Sequence, residues 1–279
     1  MATKKASKKK EEEPVDPLAP YRVDSNIITR GMNILLYGPQ GAGKTYMAAT
    51  AQDHPDMANV LFLNCEGGLI SIAHRGDIDA VDITTIDQLE EVCLTLKEGG
   101  YEGVTTVVVD SVTELQSISL TGIVEESMAS NPKDKHTNRD ELFLADYGHS
   151  TKQLSRILRM FRDLPLNVVL IAHPKEVYPP GSKGPKETAT PLSIRPMLTD
   201  KLCGAVMGYW DFVWYLSDVD GENPRHLITH TDGTVKVKTR GAPFSEHLLD
   251  EYGGIVEDPD LPTLYNMFCT TQGVTGEDK

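Results

Sequence analysis

The sequence predicts an α/β fold, a mostly parallel sheet with helices on both faces and an antiparallel C-terminal extension. Three observations carry that expectation. Short, continuous aliphatic runs alternate with amphipathic helical stretches, and strands apolar along their whole length belong in a sheet covered on both sides. The last third changes character, with strand-like runs separated by tight-turn signals instead of helices. The hydrophobic fraction of 39% over 279 residues is enough for a substantial core, and aromatics at 6% leave that core mainly aliphatic.

The elements follow in order. Residues 1–20 run Lys-rich, Glu-rich and then Pro-rich and contain too little apolar matter to fold, so they read as a charged tail or a weak partner arm. Residues 21–269 read as one domain and 270–279 as a flexible tail. Residues 33–37 form a buried strand, followed by a Gly-rich turn and a helix from 44 to about 52. Strands are expected at 60–63 and 80–83. Thr85 then caps a helix whose apolar face is Leu89, Val92, Cys93 and Leu96, stopped by Gly99 and Gly100. The β-branched run 105–109 is a fourth strand, 111–130 a helix and 131–139 a polar insertion. Leu154, Ile157, Leu158 and Phe161 mark another core-facing helix, closed by Pro165, and 168–172 is a fifth strand. Residues 174–200 read as a long loop rich in Pro, Gly, Lys, Ser and Thr. Segments 212–216, 226–231 and 234–238 form the antiparallel extension, with a short helix over 261–268.

Composition excludes several classes. No run approaches the ~20 apolar residues of a membrane span, and no apolar leader opens the chain. Cys65, Cys93, Cys203 and Cys269 are scattered, with no C-x-x-C, which argues against a disulfide or zinc framework. The chain therefore reads as cytoplasmic, with no membrane partner. A net charge of -14 opposes general phosphate affinity unless basic groups concentrate locally. They do so in the tail (Lys4, Lys5, Lys8, Lys9, Lys10), at Lys175, Lys183 and Lys186, and at Lys236, Lys238 and Arg240.

One motif carries specific chemistry. Gly38-Pro39-Gln40-Gly41-Ala42-Gly43-Lys44-Thr45 fits the Walker A pattern G-x-x-x-x-G-K-[ST], between a buried strand and a helix. Glycines let successive backbone N–H groups turn inward around phosphates. Lys44 supplies charge to the β- and γ-phosphates, Thr45 joins a Mg²⁺ shell, and the helix start, with Tyr46 next in line, adds its positive end. The chain thus reads as a P-loop NTPase using ATP and Mg²⁺. Asp110, ending the aliphatic run 107–109, is the expected second metal residue, and helix capping is an alternative role. Ser111 follows it, so the Asp-Glu pair of AAA+ ATPases is missing and the water-activating base must lie elsewhere. Glu66, at the end of the 60–63 strand, is the candidate, and Glu114 competes.

Taken together, GPQGAGKT, VLFLNCEGGL, TTVVVDSVTEL, NVVLIAHPKE and VKVKTRGAP resemble the RecA-like ATPases, closest to the phage-encoded Sak-type nucleotide-binding and annealing proteins. The likeness runs from about residue 27 to 268. It implies that Glu66 is the catalytic glutamate and that His173 senses the γ-phosphate, a place where RecA has glutamine. Lys238 and Arg240, two apart on one strand face, would reach the ATP of a neighbouring subunit; without the resemblance they read as a solvated face. Such a finger requires a homo-oligomer, a filament or a ring. The 174–200 loop takes the place of the mobile DNA-contacting loop. There Lys175, Lys183, Lys186 and Arg195 would meet phosphates and Tyr178 would stack on a base; a lid or partner-binding loop is the alternative. Single-stranded DNA and a phage single-strand binding protein are the implied partners, and the host cell cytoplasm the implied location. The sequence shows neither a separate N-terminal DNA-binding domain nor a Phe-x-x-Ala motif, leaving the assembly mode open. The expected function is a phage recombination ATPase assisting annealing or strand pairing. A helicase-type motor or loader, or a nucleotide-switched scaffold without DNA binding, stands as the alternative.

Overall fold

The computed structural model describes residues 31–130, 136, 138–181, 190–218, 224–231 and 233–273. The 1–20 tail, Lys183, Lys186 and most of the polar insertion fall outside these residues. The elements are β1 (Asn33–Tyr37), α1 (Lys44–Ala49), β2 (Val60–Asn64), β3 (Asp79–Asp82), α2 (Ile86–Lys97), β4 (Thr106–Asp110), α3 (Val112–Ser130), α4 (Leu144–Arg162), β5 (Asn167–Ala172), β6 (Pro174–Val177), β7 (Ser193–Pro196), α5 (Asp200–Tyr209), β8 (Phe212–Asp218), β9 (Arg225–Ile228), β10 (Lys238–Thr239), α6 (Ala242–Tyr252), β11 (Ile255–Glu257) and α7 (Leu261–Thr271).

Nine strands form the main sheet, in the order β11-β9-β8-β1-β5-β4-β2-β3, with β10 beside β8. The six strands from β8 to β3 run parallel, and β9, β10 and β11 join antiparallel. The expected α/β class, mostly parallel with an antiparallel extension, is the architecture found. One boundary moves: 212–216 was expected in the extension, yet β8 pairs parallel with β1 and belongs to the central sheet.

Side chains alternate between two cores, as a pleated strand requires. From β1, Leu35 and Tyr37 join one cluster with Leu89, Cys93, Leu154, Ile157, Leu158, Phe161 and Leu202 of α2, α4 and α5. Ile34 and Leu36 join the other, with Met47, Phe244, Leu248 and Phe268 of α1, α6 and α7. The few aromatics are not spread evenly, because Phe212, Trp214, Phe244 and Phe268 pack against one another in the second core. Thr85 caps α2 through a reciprocal box with Gln88. None of the four cysteines, all among the described residues, is in a disulfide.

Other expectations need correction. The 174–200 loop contains the β6–β7 hairpin, with Lys175 opposite Arg195, and α5 begins at Asp200. Alternation placed a strand at 234–238, but only Lys238 and Thr239 pair with β8. The segment before them pairs with the hairpin, through Ile194 N–H to the Thr234 carbonyl and Lys236 N–H to the Ile194 carbonyl, each 2.9 Å. A strand-like pattern had found a different partner. The expected loose end at 270 is helical to Thr271. Helices α5 and α6 and strand β11 were not anticipated.

At the other end of the sheet Asn167 ties three strands together. Its Oδ1 accepts the Met32 N–H at 2.9 Å, and its Nδ2 donates to the Thr105 carbonyl at 3.2 Å. Asn167→Leu leaves the buried Met32 N–H unpaired and removes the Nδ2 bond to Thr105, whose carbonyl keeps the residue-167 N–H at 2.9 Å. Denaturant unfolding should show a loss on the order of 3 kcal/mol, with the folded circular dichroism spectrum retained.

Candidate functional site

The loop between β1 and α1 is shaped by close approach and by backbone sign. A Cβ at Gly38 would stand 2.0 Å from the Leu216 carbonyl oxygen of β8, so no side chain fits there. Gly43 has φ +86°, in the left-handed region that favours glycine. Lys44 folds back over the turn, 7% exposed, and its Nζ donates to the carbonyls of Gly38 (2.8 Å) and Pro39 (2.7 Å). The Thr45 hydroxyl donates to Asp110 Oδ2 at 2.7 Å. Lys44, Thr45 and Asp110, expected to act together, are together.

Parallel register explains the rest. Strand β5 lies between the loop strand β1 and the Asp110 strand β4, and β2 flanks β4 on its far side. Asp110 is level with Asn64 of β2 and Ile171 of β5, so Glu66 and His173 each lie two residues beyond that level. They meet over the exit of β4, His173 Nε2 to Glu66 Oε1 at 2.7 Å, and the Ser111 side chain lies beside Glu66 and favours its ionised form. The His173 N–H is fixed by the Thr113 hydroxyl at 3.0 Å. Glu114, the competing base, lies on the first turn of α3 and lines a separate groove with Thr85 and Asp87.

Electrostatics distinguish the two carboxylates. Burial pushes the Asp110 carboxyl above its ordinary range, aided by nearby Glu66 and opposed by the Thr45 hydrogen bond and by Lys44. Burial also acts to raise Glu66, but the Ser111 side chain and the His173 hydrogen bond, with the charges of His173 and Lys44, together hold it below the ordinary range. Lys44 is held below the usual lysine value by burial, with Asp110 and Glu66 opposing. Asp110 and Thr45 offer hard oxygen donors suited to Mg²⁺, which binds through one or two carboxylates plus phosphate oxygens. Among the described residues no cluster of three or more His, Cys, Asp or Glu could hold a metal, so phosphate oxygens would be needed to complete a shell here.

The other expected residues lie elsewhere. Arg240 follows Thr239, which pairs with Phe212 at the start of β8, at the opposite end of the strands from the glycine loop. Lys238 Nζ donates to the Met207 carbonyl, and Arg240 donates to the Gly208 carbonyl (2.9 Å) and Asp211 (2.8 Å). Both cations thus cap the C-terminus of α5, where positive charge is favoured. Burial and the neighbouring Arg240 lower Lys238 to about 8. On the hairpin Lys175 is exposed, while Arg195 pairs with Asp200 and Tyr178 bonds Glu176.

Two neighbours of the site escaped the sequence. Ser111 was read only as the residue that is not glutamate. Arg225, at the start of β9, has its guanidinium carbon 5.2 Å from the centre of the Tyr46 ring. A lone arginine after a turn belongs to no motif, and nothing in the sequence marks it.

A family model described as an AAA domain matches residues 30–241, three-quarters of the chain and the whole of this site. The chain belongs to that family of P-loop ATPases. No curated protein matches the sequence. Among 224 matching chains of solved structures, the crystal structure of the RadB recombinase shares 17% identity, covering 71% of this chain and 80% of that one at a TM-score of 0.38. Among the described residues no helix is long and apolar enough to cross a membrane.

The raised Asp110 carboxyl has a sign. The folded state holds that proton more tightly than the unfolded chain, so the stability it contributes is lost as pH rises from about 3.9 through the raised folded value. Asp110→Asn should therefore melt no earlier than the parent at pH 7 without ligand, in a calorimetric scan. It should nonetheless lose the Mg²⁺-dependent part of any stabilisation by ATP.

Proposed function

We propose that the protein is a Mg²⁺-dependent ATP hydrolase of the RecA-like type, a phage recombination or repair ATPase that binds single-stranded DNA and assists annealing or strand pairing. The observation that carries the reading is the convergence of Lys44, the Thr45–Asp110 pair and the Glu66–His173 pair at one edge of the sheet. In this reading the amides of residues 38–46 and the Lys44 ammonium bind the triphosphate, Lys44 leaving the Gly38 and Pro39 carbonyls for it. Thr45 and Asp110 hold the magnesium ion, which supplies charge neutralisation at the phosphates. Glu66, ionised at neutral pH because its carboxyl is held low, takes the proton of the attacking water. His173 bridges that base to β6, which begins at the next residue, so a change at the phosphates reaches the hairpin by one covalent step. The exposed Lys175, with Leu192 and Met197 also exposed beside it, makes the hairpin the DNA-facing element of the proposal.

Lys238 and Arg240 cannot serve their own site from the far end of the strands, so any part they take is across a subunit boundary. A neighbour's triphosphate would have to draw them from the α5 carbonyls.

Phosphate release measured with and without single-stranded DNA tests this. Lys44→Ala should abolish turnover. Glu66→Gln should keep ATP binding while turnover falls roughly 10²–10⁴-fold. His173→Ala should keep nucleotide binding and lose the DNA stimulation. Mixing Lys44→Ala with Arg240→Ala should restore part of the activity. A wild type with no ATP affinity sinks the reading; ATP turnover indifferent to DNA, with intact annealing-independent partner binding, would favour the nucleotide-switched scaffold instead.

A further inference from the structure

The glycine loop has a cation beside it that its motif does not contain. Arg225 opens β9, and its backbone is clamped: its N–H donates to Asp258 Oδ1 at 3.1 Å and its carbonyl accepts the Asp258 N–H at 2.7 Å. From that fixed root the side chain reaches across the first turn of α1. Its guanidinium lies over Tyr46, and a methyl built on Gly43 would stand 3.0 Å from Nη1 and 3.3 Å from Cδ. Gly43 and Tyr46 are one helical turn apart, so the arginine lies along the side of the first turn of α1 that carries both. The side chain is 24% exposed, and its nearest carboxylate among the described residues is Asp258, 4.0 Å from Nε. Neither Nη donates a hydrogen bond to a described residue. The guanidinium is always charged, and its planar fork matches phosphate oxygens.

We propose that Arg225 is an in-chain arginine that binds the phosphate oxygens of the nucleotide along the Gly43–Tyr46 side of the loop, with the Tyr46 ring holding its guanidinium in place. The inference rests on the nucleotide reading given above. It assigns Arg225 to the phosphates and not to the base, because the guanidinium stands beside Gly43, inside the motif that wraps phosphate. A cation–π contact with Tyr46 restricts the guanidinium before the ligand arrives, so less freedom is lost on binding. Arg225 differs from Arg240 in kind: it belongs to the same chain as the loop it serves and needs no neighbour.

The test is competition binding of a fluorescent ADP analogue against ATP and against inorganic tripolyphosphate. It is run on the full chain with wild type, Arg225→Gln, Arg225→Lys and Lys44→Ala at one fixed salt concentration. Arg225→Gln should weaken both ATP and tripolyphosphate roughly ten- to a hundredfold, and Arg225→Lys should recover part of the loss. Should the glutamine variant melt early, Arg225→Met, which keeps the packing stem, reads the same loss. Unchanged affinity in a folded Arg225→Gln variant overturns the proposal. So does a loss confined to ATP with tripolyphosphate unaffected, since the contact would then be to the nucleoside. A wild type that binds neither ligand, or a Lys44→Ala variant that binds like wild type, would instead overturn the nucleotide reading on which this rests.

Discussion

The constraint on which the site depends is the level alignment of parallel strand ends. Asn64, Asp110 and Ile171 end at one height on adjacent strands, and everything chemical projects one or two residues further. Adjacent strands lie about 4.8 Å apart. Glu66 and His173, two strands apart, can therefore touch only because the intervening β4 turns away at Ser111 into α3. The hydrogen bond between them is the keystone of that exit. It is made by residues 107 apart in sequence, and one residue of slip in either strand would send one of them to the opposite face of the sheet.

The same place concentrates unfavourable electrostatics. A lysine 7% exposed and a carboxylate 5% exposed are each pushed by burial toward neutrality, Lys44 downward and Asp110 upward. Functional sites commonly carry such local costs and rely on the surrounding fold to hold them. Here the sheet supplies that support through two independent cores and the Asn167 tie at the far end. Phosphate and a divalent ion are the species that would relieve the cost, since they bring opposite charge to the lysine and to the carboxylate respectively. Glu66 differs because its neighbours favour ionisation, which suits a base and not a metal ligand that must first be stripped of its partners.

Much of this was legible in the chain. Strands β1, β2, β4 and β5 are aliphatic runs with no competing interpretation, and the glycine loop is spelled by sterics that leave few other residues. Asp110 ends such a run and Glu66 follows closely on another, which is why the sequence points to both as candidates. What was not legible depends on pairing. The 234–238 segment alternates like a strand, but its main partner is Ile194 of the hairpin, a choice set by tertiary packing and not by its own pattern. Helix α5 went unseen because its apolar residues, Leu202, Cys203 and Val206, directly follow a Pro-rich stretch that suggested a loop. The two neighbours of the site, Ser111 and Arg225, have their meaning only from what lies across a strand boundary.

Tyr37 shows how far the loop is felt. It is the last residue of β1, directly before Gly38, fully buried, and its ring stands edge-on to Tyr215 at 5.0 Å. Its hydroxyl lies 2.8 Å from the Lys236 carbonyl and 3.1 Å from the Ile194 carbonyl. One phenol therefore rivets the root of the phosphate loop to both the hairpin and the strand that carries Lys238 toward the far end of the sheet. Because the ring is rigid and enclosed, the loop root, the hairpin and the 234–238 segment are all tied to a single side chain.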